Sequence, residues 1–128
     1  MEKVRPLLKR PQTADAEFFS YLLRLRDILH LFHFNTTSYA QHVAVGDLYE
    51  IVLDSADELI EIYQGQSEER LHIIIDKTET VDDILPILRS SVKYIETNKS
   101  RFSSDIINKL EELMGEINRT IYKLKFLK

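Results

Sequence analysis

The sequence predicts an all-α protein, an antiparallel up-and-down bundle of four helices, and three observations predict it. Glycine and proline number only three each in 128 residues, too few for a loop-rich or all-β chain. Apolar residues recur at spacings of three and four along most of the length, the period of a helix with one buried face. The breaks between these stretches are short and rich in capping residues, as neighbouring antiparallel helices require.

Residues 1–12 read as a basic arm and residues 13–128 as one helical domain. Pro6 and Pro11 block regular structure in the arm. Thr13 is placed to cap the first helix, with Asp15 and Glu17 in the first turn, where the helix dipole favours acids. Phe18, Tyr21, Leu22, Leu25, Ile28, Leu29 and Phe32 form its apolar stripe, which runs to about Phe34. Asn35-Thr36-Thr37-Ser38 is a turn, and the second helix begins just after it.

The second stripe is Val45, Leu48, Tyr49, Val52, Ala56, Leu59, Ile60 and Tyr63, with Gly65 as the expected C-terminal cap. Residues 66–79 carry no clear period, and Ile73-Ile74-Ile75 fits either an extended piece or a helical turn. Thr80 with Asp83 resembles a loose capping box opening a third helix to about Thr97. Pro86 then falls inside that helix and predicts a kink or an irregular first turn. Ser103 or Ser104 caps a fourth helix to about Leu127, with Ile107, Leu110, Leu113, Met114, Ile117, Ile121 and Leu124 facing inward.

Hydrophobic residues make up 44% and charged residues 30%, ordinary values for a folded domain. The absence of cysteine excludes disulfides, thiolate zinc sites and cysteine nucleophiles. No apolar run reaches the ~18 residues a membrane span needs, and the N-terminus has no signal-like apolar core. The expected location is therefore cytoplasmic. The net charge of −4 repels nucleic acid from the body of the protein. Lys3, Arg5, Lys9 and Arg10 give the arm a weak route to phosphate backbones. No glycine-rich phosphate loop, nucleophile elbow or zinc-protease motif is present.

The residues with chemistry lie on the first two helices. His30 and His33 sit near the end of the first, His42 opens the second, and Asp57 and Glu61 follow one turn apart. At about 100° per residue, His42, Glu50, Asp57 and Glu61 share one arc beside the apolar stripe. Imidazole and carboxylate together suit iron, manganese or zinc. By itself the acid pair is more often an ordinary solvated helix edge, and a histidine beside an apolar stripe is more often a hydrogen-bonded core residue than a ligand.

These residues resemble a known pattern. His30-Leu31-Phe32-His33-Phe34-Asn35-Thr36, His42 and Asp57-Glu58-Leu59-Ile60-Glu61 are similar to the Dps miniferritins, a ferritin-like family. The resemblance implies that His33 and His42 are the nitrogen ligands of iron and that Asp57 and Glu61 are the oxygen ligands. His30 and Glu50 stand in second rank. It also implies a homo-oligomer, at least a dimer, because that family builds its ferroxidase site from the histidines of one subunit and the acids of its partner. The stretch Ser38 to Glu50, with Asp57 and Tyr63-Gln64-Gly65, more closely resembles a small ferritin-like family common in tailed-phage genomes. That likeness implies a bacterial or phage-infected host, with a virion or accessory protein as the alternative role, metal-free and interacting with other proteins.

The sequence departs from the miniferritin pattern in two places that bear on the site. The turn between His33 and His42 is three residues shorter than in that family. Gly46 stands where the family often has a supporting acid.

Overall fold

The computed structural model describes residues 12–75 and 78–128. Among them the chain forms four α-helices: α1 (Ala14–Asn35), α2 (Tyr39–Ser67), α3 (Leu85–Asn98) and α4 (Ser104–Phe126). A single 3-10 turn, Lys99–Arg101, joins α3 to α4, and no strand occurs among the described residues. The basic arm expected over residues 1–12 lies outside the described residues except for Gln12.

Local chemistry sets the helix starts. The Thr13 hydroxyl accepts from the Ala16 amide, Ser38 from Gln41 and Ser103 from Ile106. Each of these caps satisfies an amide that has no partner inside the helix, a contribution of about 1 kcal/mol. The third helix starts without one. Its N-cap is Ile84, and the helix begins at Leu85 rather than near Thr80. Pro86 therefore stands in the first turn, where its missing amide costs nothing; of the two expected outcomes the kink does not occur, and residues 80–84, the expected first turn, are irregular.

Helix α2 runs through Gly65 to Ser67, so Gly65 is not the cap. The left-handed position falls on Glu68, at φ 57°. Residues 68–75 are irregular, and Ile73-Ile74-Ile75 forms no helical turn.

The helices pack α1 on α2, α2 on α4, and α4 on α3. Phe18, Phe19, Leu22 and Leu29 of α1 are fully buried, as are Val45, Val52 and Leu59 of α2. Leu88 and Ile95 of α3 and Leu110 and Ile117 of α4 complete the core. Burying each such side chain stabilises the fold by about 1.5–3 kcal/mol. In α4 the deepest stripe is Ile106, Leu110, Leu113 and Ile117, while Ile107, Met114, Ile121 and Leu124 are half-buried at its edge. No helix among the described residues is long and apolar enough to cross a membrane.

An aromatic cluster closes one end of the core, with Phe18 and Phe102 at 5.0 Å between ring centroids and Phe19 and Tyr63 at 5.4 Å. Above it, Asp15 accepts from the Tyr63 hydroxyl and pairs with Arg101, tying the start of α1 to α2 and to the α3–α4 connection. That hydrogen bond, with a smaller effect of burial, pushes the Tyr63 hydroxyl up to about 12.

Candidate functional site

The three-residue break from Thr36 to Ser38 turns the chain so that the last turn of α1 lies beside the first turn of α2. Thr36 receives the Ser38 amide on its hydroxyl at 3.2 Å, and its own amide bonds the Phe32 carbonyl at 2.9 Å. This turn brings His33 and His42 together.

The two histidines exchange hydrogen bonds. His33 Nδ1 lies 2.7 Å from the His42 carbonyl, and His42 Nδ1 lies 2.9 Å from the His33 carbonyl. A carbonyl only accepts, so both Nδ1 atoms carry hydrogen. In the neutral rings each Nε2 is then left with a free lone pair. The His33 carbonyl is one of the orphan acceptors at the end of α1, and the His42 ring satisfies it.

The rings stack, with centroids 3.7 Å apart and planes 18° from parallel. Planes that close and that nearly parallel do not meet at any point an ion could occupy within bonding distance of both rings. Each Nε2 can therefore serve an ion of its own, but the pair cannot chelate one.

Gly46 gives this arrangement its room. A Cβ at that position would lie 2.8 Å from His33 Cε1 and 2.9 Å from His33 Nδ1, inside the contact distance of any side chain. His30 stacks on Tyr49 at 4.3 Å and 17°, and Tyr49 presents an edge to His33 at 5.3 Å and 65°. The Arg26 guanidinium covers Tyr49 at 5.5 Å from the ring centroid. The helical period marks Tyr49 as a core residue. Its place against both His30 and His33 depends on how α1 and α2 pack, which no periodicity encodes.

Asp57 and Glu61 are exposed on the outer face of α2 and do not join the histidines. At 1.5 Å per residue they lie about 22 Å and about 28 Å beyond His42 along the axis. No group of three His, Asp or Glu side chains placed to hold an ion occurs among the described residues. The second-rank residues separate likewise: His30 joins the histidine cluster, while Glu50 is exposed.

The outer face of α2 is instead a continuous acidic stripe. Asp47, Glu50, Asp54, Asp57, Glu58 and Glu61 are all exposed, and α2 contains no lysine or arginine. Only Glu58 has a cationic partner among the described residues, Lys109 at 2.6 Å.

No curated protein and no solved structure matches the chain. Its residues 33–124, from the first of the paired histidines to the last turns of α4, match a family of unknown function, DUF5856, and the chain belongs to that family.

Proposed function

We propose that the chain is a ferritin-like, antiparallel up-and-down bundle that takes ferrous iron at half-sites on His33 and His42, completed by Asp57 and Glu61 of a second copy. The observation that carries this reading is the reciprocal hydrogen bonding of the two histidines. Metal-bound histidines characteristically donate their other ring nitrogen to a carbonyl or carboxylate, which fixes tautomer and orientation. Both rings here are held in that way, with both Nε2 atoms free. The hydrogen bond from Tyr63 near the end of α2 to Asp15 at the start of α1 supports the antiparallel connectivity.

The donor set of one chain fits iron only in part. Two nitrogen donors stand together, and the oxygen donors lie too far along α2 to reach them, which is why a second copy enters the reading. Imidazole with carboxylate suits iron, and manganese or zinc on the same grounds. A ferroxidase reaction with peroxide balances as two ferrous ions giving one electron each, the peroxide taking two electrons and two protons and leaving as two waters. This chain's contribution is to hold the imidazoles and to supply carboxylates to the opposite half-site.

The test is an anaerobic ferrous titration of the purified protein, followed by peroxide, with ferric absorbance recorded. Saturable binding of one or two irons per chain, oxidised faster than in buffer, is the expected result. No binding overturns the reading.

The near-parallel stacking favours a second reading. Because the pair cannot chelate one ion, the histidines would serve as a structural clasp between α1 and α2 in a metal-free bundle, an interaction or structural module of a phage particle or accessory complex. Under this reading a chelator leaves the melting temperature unchanged.

A further inference from the structure

Seven large hydrophobic side chains are strongly exposed among the described residues, and six of them gather at one end of the molecule. Phe34, Tyr39 and Val43 flank the α1–α2 turn, and Tyr122, Phe126 and Leu127 belong to the last turns of α4 and the residue after it. Single exposed apolar residues are ordinary on a protein surface. A concentration at one end marks a contact.

The start of α2 and the end of α4 meet in a groove of about 410 Å³ lined by Tyr39, Val43, Asp47, Lys123, Leu127 and Lys128. Tyr39 is 81% exposed and Leu127 49%. Charges of both signs border this apolar floor, an acid on the α2 wall and lysines on the α4 wall. None of the three charged residues makes an ion pair among the described residues.

We propose that this end of the bundle is a self-complementary contact that seats a second copy of the same chain. In a two-fold contact each residue that touches a partner residue is itself touched in return. Turning the groove onto its own copy lays Val43, Tyr39 and Leu127 against their counterparts. It also sets Asp47 against the lysines of the other chain, twice. An acidic amphipathic helix from another protein would meet the lysines favourably but would be repelled by Asp47 and by the acidic stripe that continues from it. A second copy satisfies both rims.

The inference does not rest on the preceding reading, whose contact is bridged by metal; this one is carried by the groove and its charges and needs none. The two contacts are also different. One centred on Val43 leaves Asp57 and Glu61 of the second copy about 20 Å or more from the histidines, by the rise along α2. If both contacts form, each chain carries two unlike faces for copies of itself, and the assembly grows beyond a dimer.

The experiment is sedimentation velocity of the full chain in chelator across the micromolar range, with Val43→Asp, Leu127→Glu, Asp47→Lys and the exchange pair Asp47→Lys with Lys123→Glu. Dimers in chelator, monomers for Val43→Asp and Leu127→Glu with unchanged circular dichroism, weakened association for Asp47→Lys and partial recovery in the exchange pair are expected. A wild-type chain that stays monomeric in chelator overturns the proposal, and so does a dimer indifferent to Val43→Asp and Leu127→Glu. Association only on adding ferrous ion also overturns it, while supporting the metal-bridged contact.

Discussion

Gly46 and His33 are in contact across the α1–α2 junction so closely that hydrogen is the only substituent the glycine Cα can carry toward the ring. The nearest imidazole atoms would stand 2.8 and 2.9 Å from an added Cβ. The ring cannot simply swing aside, because its Nδ1 is bonded to the His42 carbonyl at 2.7 Å.

Gly46→Ala should therefore destabilise the protein by about 1 kcal/mol. The helix preference for alanine, about 1 kcal/mol, is outweighed by the lost hydrogen bond and the strain of the displaced ring. Gly115→Ala in α4 is the control, since nothing lies within 4 Å of its added Cβ. It should gain roughly 0.5–1 kcal/mol. Urea denaturation of the two variants checks the opposite signs.

The end of α2 makes a paired prediction. Gly65 lies inside the helix with open space around it, and Glu68 occupies the left-handed cap at φ 57°. Gly65→Ala and Glu68→Gly should each stabilise by about 0.5–1 kcal/mol. Their effects should be close to additive, as thermal melts of the single and double variants will show.

The histidine clasp should register as coupling. Each of His33→Ala and His42→Ala removes both the stacking and one hydrogen bond. A double-mutant cycle is expected to give about 0.5–1.5 kcal/mol of interaction energy. Additive effects would mean that the two rings do not act together.

Alkaline pH should act through tyrosine. Tyr63 is pushed up to about 12, first by its hydrogen bond to Asp15, and Tyr21 to about 12, first by burial. Both values lie above the ordinary 10.0 of the phenol. Stability from these neutral hydroxyls is whole below pH 10 and is lost as pH rises toward 12. Tyr63→Phe should be less stable at neutral pH and should flatten the decline, measured as melting temperature against pH.

For metal, Glu61→Ala is expected to abolish tight ferrous binding while leaving helicity largely intact, since the side chain is exposed. Unchanged affinity, read by anaerobic titration, would remove Glu61 from the ligand set.

The parts of the fold that chain-local chemistry controls were legible. Thr13, Ser38 and Ser103 announce helix starts because a hydroxyl three residues before an amide is a local matter. The core stripes of α1 and α2 follow from period alone, although Phe19, fully buried, falls off the simple count and packs against Tyr63 and Phe102. Thr80 and Asp83 point to a helix start before Leu85, and the stronger signal is Pro86 itself, which belongs in a first helical turn. Gly65 looks like the cap because glycine is the usual left-handed residue, and Glu68 takes that conformation instead.

In the site, the resemblance singles out His33 and His42, and the α1–α2 turn does bring those two rings together. Their stacking, their exchanged hydrogen bonds and the clearance at Gly46 are products of the α1–α2 packing angle, which spacing does not carry. The distance between the histidines and the acids could be counted along α2 from the sequence. Whether a second chain closes that distance could not.

The acidic stripe also bears on how the molecule acquires its shape. Asp54 with Glu58 and Asp57 with Glu61 are like charges one turn apart, and α2 has no cation of its own to relieve them. Such pairs weaken an isolated helix by about 0.2–0.5 kcal/mol each. Excised as a peptide, α2 should be mostly coil at neutral pH and gain helix on acidification. In the whole chain its order comes from apposition to α1 and α4, so the longest helix is a product of assembly rather than a template for it.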